Sequence, residues 1–429
     1  MGDGMNYAEL LERRRAPLAH IGRDVTRESM PSLAQFQREI VEWACEVGRP
    51  AVWADTGLGK TRMQITWCSL MGDKSLVITP LAVAEQTVEE ADLIGVNAQY
   101  VRSASEVTGP GVWVTNIEMV ENVIGAGFDA VALDEASILK NSDGKTRARL
   151  IELCEGIRYR SAWTATPAPN DPEELTNQAE FLGHMTRTNM LAAYFVHDQD
   201  GWRVKGHAWG PMVEWLRSWA VAIRRPSDLG FSDDGYVLPG MRVIPDVVHV
   251  DVEPAPDELF TVAIGGVSGR AKVRRASMDA RIDRVVEMVA AEPNEPWVLW
   301  CGMNDEASEL ALRIPGAVNV HGGMTPEEKA AGLLGFAHGD HRVLITKPKI
   351  AGMGMNWQHC ARMAFVGIND SWEQYYQAIR RCYRFGQKRV VDVHVVVSEL
   401  ETQIAENVAR KEKSANRIVE SMVAARKAS

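Results

Sequence analysis

The chain has 429 residues and a mass of 47.5 kDa, about three times the ~150-residue size of a common domain, so two or three domains are expected. Hydrophobic residues make up 46% and charged residues 24%, which excludes disordered, collagen-like and low-complexity proteins. The net charge of -10 excludes a protein whose whole surface attracts nucleic acid, although basic residues can still gather locally.

The sequence favours a cytoplasmic protein. It contains no run that approaches the ~18 apolar residues of a membrane span, and residues 1–15 lack the apolar centre of a signal peptide. The six cysteines are far apart and form no Cys-x-x-Cys pair, so neither a disulfide framework nor a zinc ribbon is expected.

Short apolar runs alternate with helical patterns in the first part of the chain. Near-continuous apolar runs between helices indicate strands that are buried on both faces of a parallel sheet. The predicted strands are 51–54, 75–79, 111–115, 130–133 and 160–164. Residues 171–224 are predicted to be a helical, Trp-rich insertion in which Trp215 and Trp219 share one helix face. This part of the chain is therefore an α/β domain.

A second series of the same kind predicts a second α/β domain. Its strands are expected at 246–252, 297–301, 317–320, 342–346, 363–366 and 390–397. The Gly- and Pro-rich stretch 225–245 separates the two series and predicts domains at 1–235 and 236–429. The amphipathic tail, about 402–429, is expected to be a helix that braces one lobe or both.

The strongest motif is the run Asp55-Thr56-Gly57-Leu58-Gly59-Lys60-Thr61, which lies between a predicted strand and a predicted helix. Its glycines let backbone N–H groups face phosphate oxygens, and the helix N-terminus adds a partial positive charge. Lys60 is expected to reach the β- and γ-phosphates, and Thr61 to hold Mg²⁺. The generic phosphate loop begins with Gly, whereas this run is preceded by Ala54. A chance Gly-rich turn is the alternative.

Two adjacent carboxylates end the predicted strand 130–133. Asp134 is expected to hold the Mg²⁺ that Thr61 also contacts, and Glu135 to orient or deprotonate the attacking water. A strand that ends in Asp-Glu is more often a solvated turn, but its place about 75 residues after a phosphate loop favours the metal site.

These motifs belong to an ordered set that resembles superfamily 2 helicases, and within them the Swi/Snf-like DNA-dependent ATPases, from Ser32 to about Ile404. In the first lobe, Gln37 matches the residue that reads the adenine edge. The other segments that carry the resemblance there are Asp55 to Thr61, Thr79-Pro80, Thr115-Asn116-Ile117-Glu118, Asp134 to Ser137, Lys140-Asn141, and Thr164-Ala165-Thr166-Pro167 with Asn170.

The second lobe continues the resemblance. Its segments are Val298-Leu299-Trp300-Cys301, His321-Gly322-Gly323, Gly352-Met353-Gly354-Met355-Asn356 and the run 377–387, which reads Gln-Ala-Ile-Arg-Arg-Cys-Tyr-Arg-Phe-Gly-Gln. The last run is the most specific to the Swi/Snf branch. By position it makes Arg381 and Arg384 the arginine fingers that stabilise charge on the γ-phosphate. A solvated helix end is the alternative for these arginines.

The resemblance implies two tandem RecA-like lobes, each a mostly parallel sheet covered by helices, with an ATP cleft between them. It implies an ATP-dependent translocase or helicase that is stimulated by double-stranded DNA and uses ATP and Mg²⁺. The residues expected to bind the nucleotide are Gln37, Thr56, Gly57, Leu58, Gly59, Lys60, Thr61 and Gly354. The residues expected to contact nucleic-acid phosphates are Thr79, Pro80, Thr115, Asn116, Lys140, Asn141, Lys347 and Lys349.

Three features depart from the family pattern. Lys347-Pro348-Lys349 stands where the family usually has Ser-Thr, so a hydroxyl contact to phosphate is replaced by charge alone. Ser137 stands where helicase relatives often carry His. The short chain lacks the long insertions of eukaryotic remodellers, so it resembles compact phage or prokaryotic members, and replication or recombination proteins are its expected partners.

Two other functions stay open. The first is a single-strand or RNA-directed helicase on the same lobes, and the second is a non-hydrolysing DNA-binding scaffold with a decayed ATPase fold. The intact Lys60, Asp134 and Glu135 count against decay. A metal pair at His338 and His341 is a weak alternative, because no third ligand with suitable spacing follows.

Overall fold

The computed structural model describes residues 21–140, 144–199, 201–249, 275–351, 356–367, 371–399 and 402–427. The chain divides into two compact units. The first unit comprises residues 1–236 and 412–429, and the second comprises residues 237–411. Each unit is built around its own parallel sheet, which confirms the predicted α/β class.

The sheet of the first unit has seven strands among the described residues, in the order β3-β4-β2-β5-β6-β1-β9, and every pairing is parallel. The carboxyl ends of its strands therefore meet at one edge, where ligands of open α/β sheets usually bind. The strands are β1 (Ala51–Ala54), β2 (Lys74–Thr79), β3 (Ala98–Tyr100), β4 (Gly111–Asn116), β5 (Ala130–Asp134), β6 (Tyr159–Thr164), β7 (Phe195–Asp198), β8 (Gly201–Val204) and β9 (Ala220–Ile223).

Helices cover both faces of this sheet and enclose two apolar clusters, one on each side. The strands β1 and β5 are buried along their whole length, as their unbroken apolar sequences require. The helices are α1 (Gln35–Val47), α2 (Lys60–Met71), α3 (Leu81–Leu93), α4 (Val120–Val123), α5 (Lys145–Cys154), α6 (Leu175–Leu182), α7 (Arg187–Tyr194) and α8 (Trp209–Arg217).

The stretch 171–224 is less helical than its sequence predicts. It holds the antiparallel hairpin β7–β8 and the strand β9, which pairs with β1. Helix α8 ends at Arg217, so Trp215 and Trp219 do not share a helix face, although their rings meet edge to face at 5.3 Å. The apolar sequence of β9 continues from the helix without a strong break, which hides the change from helix to strand.

The sheet of the second unit has six strands among the described residues, in the order β10-β15-β14-β11-β13-β12, again all parallel. The strands are β10 (Met241–Val248), β11 (Trp297–Cys301), β12 (Val318–Val320), β13 (Val343–Thr346), β14 (Arg362–Val366) and β15 (Val391–Ser398). The helices are α9 (Met278–Ala291), α10 (Asn304–Arg313), α11 (Pro326–His338), α12 (Pro348–Ala351) and α13 (Trp372–Ile379).

Strand β10 begins at Met241, five residues before the predicted start. It is an edge strand, where Pro245 can be tolerated because it need not donate a ladder hydrogen bond. Most of its side chains are half-buried or exposed, so it lacks the continuous buried pattern of the inner strands. The turn-forming residues around 239–245 therefore conceal the start of a strand.

The last helix, α14 (Thr402–Lys427), begins in the second unit, and from Glu412 onward it belongs to the first unit. Its final part packs on the first unit, where Ile418 and Met422 are buried in the core and Arg426 donates to Glu39 at 2.9 Å. The guanidinium of Arg417 lies 4.0 Å from the centre of the Trp209 ring. Assigning the whole tail to the second domain was therefore wrong for residues 412–429.

Candidate functional site

The phosphate loop, residues 55–61, joins β1 to α2 in the way the sequence predicts. Gly57 and Gly59 have φ angles of 91° and 79°, a left-handed backbone that glycine adopts without strain. Gly59 is the N-cap of α2, so the helix begins at Lys60 and its first N–H groups face the loop. This is a ready-made anion site.

Gln37 fixes the shape of this loop. Its Nε2 atom donates to the Leu58 carbonyl at 2.8 Å, and its Oε1 atom accepts from the Ala34 N–H at 2.9 Å. A Cβ atom at Gly59 would lie only 2.3 Å from Gln37 Nε2. The sequence did not predict this supporting role, and contact between Gln37 and a base stays a prediction.

Replacing Gly59 by Ala is expected to destabilise the first unit and to weaken nucleotide binding. The left-handed backbone costs an L-residue about 1–2 kcal/mol, and the new methyl group also collides with Gln37. Gly95→Ala is the matched control, because Gly95 has a φ of 76° and open space around it. Thermal unfolding and nucleotide titration compare the two. Equal losses in both variants would show that the Gln37 contact is unimportant.

The carboxylate of Asp134 lies at the carboxyl end of β5 and is only 8% exposed. Burial raises its pKa, while the charge of Lys60 and a hydrogen bond from Thr79 Oγ1 at 3.0 Å oppose that rise. The Lys60 ammonium also donates to the Ala54 carbonyl at 2.8 Å. The loop lysine and the strand-end carboxylate therefore interact electrostatically, and their roles toward phosphate and Mg²⁺ stay predictions.

Glu135 has a φ angle of 48°, the single positive value of a non-glycine among the described residues. Its backbone N–H donates to the Asp134 carboxylate, which lowers the pKa of that group. Strained backbone conformations persist where the surrounding structure requires them, and they gather at functional sites. The geometry therefore singles out the same residue that the sequence nominated for activating water.

The oxygen donors present suit Mg²⁺. Mg²⁺ bound with a nucleotide commonly takes one or two protein oxygens and completes its shell with phosphates and water. Thr61 and Asp134 offer a hydroxyl and a carboxylate of that kind. No group of three or more His, Cys, Asp or Glu side chains that could hold a metal occurs in the described parts of the chain, His338 and His341 included.

A polar helix face, which the sequence analysis missed, links three of the predicted motifs. Gln178 on α6 accepts from Trp53 Nε1 in β1 at 3.0 Å and donates to the Pro167 carbonyl at 2.7 Å. Its neighbour Asn177 donates to the carbonyls of Leu139 and Lys140 at 2.8 and 3.2 Å. Both side chains are 1% exposed. Two adjacent amides between the apolar residues Leu175 and Phe181 are the signal that could have revealed this network.

Glu174 extends the network to the loop after β6. Its carboxylate accepts from the backbone and side-chain N–H groups of Asn170 at 3.1 and 2.8 Å. Burial raises the pKa of Glu174 to about 7, against the opposing effects of Asn170 and the Lys140 charge. Strand β1 and the segments that follow β5 and β6 are thus held by residues 174–178.

In the second unit, Arg381 and Arg384 lie in turns that follow α13, which ends at Ile379. Although the spacing of three residues predicts that they project from one helix face, they do not, because the helix has already ended. The turn is shaped by Gln387, whose Nε2 donates to the Cys360 carbonyl at 2.9 Å and whose Oε1 accepts from the backbone N–H groups of Lys388 and Arg389. Arg381 is 8% exposed.

The model for the Helicase conserved C-terminal domain matches residues 280–386. Among solved structures, Dbp5 of S. cerevisiae, bound to RNA and ADP BeF3, is 11% identical, with 93% of this chain and 100% of that chain covered and a TM-score of 0.57. Residues 280–386, which lie in the second unit, therefore match a helicase C-terminal domain. The likeness to Dbp5 shows the fold of the chain, which is the tandem RecA-like one that the sequence predicts.

A second solved structure, the Sulfolobus solfataricus SWI2/SNF2 ATPase core in complex with dsDNA, is 18% identical to this chain. The alignment covers 94% of this chain and 96% of that chain, with a TM-score of 0.45. No curated protein matches the sequence.

Most of the predicted phosphate contacts of the first unit are buried. Thr79 bonds to Asp134, and Thr115 Oγ1 donates to the Val101 carbonyl at 2.8 Å. Asn116 accepts from Tyr100 Oη at 2.7 Å and donates to Glu118. Pro80 is buried as well. As direct phosphate ligands these four are not supported, because their side chains complete the interior instead.

The predicted phosphate contacts whose side chains reach the surface are lysines. Lys140 and Lys347 are half-buried, and Lys349 is exposed. Asn141 and Gly354 lie outside the described residues. No helix in the described residues has both the length and the apolar character to cross a membrane.

Proposed function

We propose that this chain is a superfamily 2 helicase that hydrolyses ATP to ADP and phosphate in order to translocate along double-stranded DNA. The observation that carries the proposal is the single electrostatic site formed by Lys60 of the phosphate loop and the buried Asp134 at the end of β5. A DNA-binding scaffold that had lost ATPase activity would have no need for this site. Burying a carboxylate lowers the stability of the fold unless the charge is paired or serves a function.

In this mechanism the backbone N–H groups of residues 56–61 hold the phosphates, and Lys60 leaves the Ala54 carbonyl for the β- and γ-phosphates. Mg²⁺, when bound with the nucleotide, supplies charge neutralisation on the transferring phosphoryl group. Thr61 and Asp134 would hold it. Glu135, fixed by its strained backbone, orients the attacking water and accepts its proton.

Arg381 and Arg384 are proposed to stabilise the charge that develops on the γ-phosphate. Their support is the run 377–387 and the ordered turn that Gln387 builds around them. The same run favours the Swi/Snf branch and hence duplex DNA, contacted through phosphates without sequence specificity. Compact phage or prokaryotic relatives, a cytoplasmic location, and replication or recombination partners belong to this proposal.

Replacing Arg384 by Ala is expected to leave ATP affinity within about threefold and to lower kcat about 10²-fold, because such a donor acts mainly in the transition state. Lys388→Ala is the control, since Lys388 is an exposed cation of the same run. Steady-state hydrolysis gives kcat, and nucleotide titration gives the ATP affinity. Normal kcat in Arg384→Ala would remove this residue from the mechanism.

The proposal is tested by ATP hydrolysis with the wild type and Lys60→Ala, alone and with double-stranded DNA, single-stranded DNA or RNA, at low salt. Stimulation by duplex DNA that is absent from Lys60→Ala is the expected result. Stronger stimulation by single strands or RNA would favour the alternative helicase on the same lobes. Absence of hydrolysis under every condition would favour the DNA-binding scaffold.

A further inference from the structure

Two arginines meet at the amino-terminal edge of the first sheet, the edge opposite the phosphate loop. Arg49 precedes β1, and Arg160 is the second residue of the adjacent strand β6. Both side chains extend to Gly183, which ends α6. A Cβ atom at Gly183 would lie 2.5 Å from Arg160 Nη2 and 2.7 Å from Arg49 Nη1. The two guanidinium groups therefore converge on the same small volume.

No carboxylate neutralises this pair within the described ranges of the chain. Arg160 is only 3% exposed, and its Nε atom is buried without a hydrogen-bond acceptor there. Burial and the charge of Arg49 lower the pKa of Arg160 to about 10, so it stays charged at neutral pH. The one hydrogen bond from the Arg49 guanidinium goes to the Arg158 carbonyl at 3.0 Å.

The neighbouring titratable groups add no compensating charge at close range. Burial lowers the pKa of His184 to about 4, so this ring is neutral, and it bonds to the Arg49 carbonyl at 2.7 Å. Burial raises the pKa of the Cys154 thiol to about 12, so it is neutral as well. The charge of Glu155 raises the pKa of Arg160, but this effect is the smallest of those acting on Arg160. The side chain of Glu155 is exposed.

Two like charges in a largely buried site are costly unless an anion compensates them. The helix dipole places about half a negative charge at the carboxyl end of α6. This partial charge is too small to compensate the two positive guanidinium groups. Gly183 itself is exposed, and the two guanidinium groups fill the volume that its side chain would take, so they lie next to an exposed backbone position. Paired guanidinium groups match the oxygen geometry of phosphate, which they bind with parallel hydrogen bonds.

We propose that Arg49 and Arg160 bind a phosphate group at the exposed face of Gly183, as a second phosphate site separate from the phosphate loop. The group belongs either to inorganic phosphate or to the backbone of a nucleic acid, which present the same chemistry to the arginines. The site does not depend on ATP hydrolysis by this chain, so the proposal stands or falls independently of the proposed function.

The experiment uses the full chain carrying Lys60→Ala, which removes the main phosphate-binding side chain of the loop. Thermal unfolding is measured in sodium phosphate and in sodium chloride of equal ionic strength. Phosphate is expected to raise the Tm by about 3 °C at a concentration near ten times its Kd. This rise should disappear when Arg49→Met or Arg160→Met is added. Arg158→Met, which changes a nearby exposed arginine, should keep it.

A second arm measures the fluorescence anisotropy of a labelled oligonucleotide with the same variants. Loss of the phosphate-induced Tm rise, or at least a tenfold weaker oligonucleotide affinity, in both Met variants would support the site. The arm that responds identifies the source of the phosphate. Unchanged behaviour of both Met variants in both arms would overturn the proposal. If Arg160→Met does not fold, Arg160→Lys keeps the charge without the fork and should weaken binding about tenfold.

Discussion

Replacing Glu135 by Gln is expected to lower stimulated ATP turnover about 10³-fold, the middle of the range for loss of a general base. The amide keeps the size of the side chain but has no negative charge and no capacity to accept the proton of water. ATP affinity should be retained, because Lys60, Thr61 and Asp134 are unchanged. The loss corresponds to about 4 kcal/mol of transition-state stabilisation.

Glu135→Gly separates the chemistry from the backbone strain. A φ of 48° strains the glutamate backbone by roughly 1 kcal/mol, whereas glycine adopts this angle without strain. The free energy of unfolding of Glu135→Gly should therefore equal or exceed that of the wild type. Turnover should still be lost. Glu121→Gln, an exposed acid of the same unit, serves as the control for charge removal alone. Turnover within tenfold of wild type in either Glu135 variant would contradict the assignment.

Replacing Glu306 by Gln is expected to destabilise the second unit by about 3–5 kcal/mol. Arg281 Nη1 donates to Glu306 Oε1 at 2.7 Å, and both side chains are fully buried. The other carboxylate oxygen accepts from the backbone N–H groups of Gly302 and Met303, which follow β11. The substitution removes the carboxylate charge that faces the buried Arg281 guanidinium.

Chemical unfolding followed by tryptophan fluorescence measures this loss, because Trp297, Trp300 and Trp357 lie buried in the second unit. The surface pair Arg313–Asp283 is the control, and Asp283→Asn should change the free energy of unfolding by less than about 1 kcal/mol. The double variant Arg281→Met/Glu306→Gln should be more stable than Glu306→Gln alone. A loss below 1 kcal/mol in Glu306→Gln would mean that water or a rearranged partner compensates Arg281.

The sequence predicted the inner strands well because burial on both faces leaves an unmistakable apolar run. Strands β1 and β11 begin and end at the predicted residues. The predictions failed where that physical cause is missing. Strand β3 is short and half-exposed, and β10 lies at a sheet edge among turn-forming residues, so neither needs a continuous apolar sequence.

The backbone geometry of the phosphate loop was predictable because it depends on a short local segment, whereas its contact with a nucleotide stays a prediction. Gly57, Gly59 and Lys60 act within one turn, and Asp134 and Glu135 are adjacent. Contacts at long separation were not predictable, since the hydrogen bonds of Gln178 join residues more than 100 positions apart in one case. The burial of Thr79 and Thr115 was equally hidden, because a threonine at a strand end can face either solvent or the interior.

Helix α6 makes stability and catalysis hard to separate in a mutational survey of this chain. A substitution at Gln178 disturbs strand β1 and the loop after β6, and one at Asn177 disturbs the segment after β5, while both residues lie in the interior. Such a variant would lose activity in the pattern of an active-site mutant and yet would contact no nucleotide. Activity screens of this chain therefore need a parallel stability measurement for residues 174–178 before any loss is assigned to chemistry.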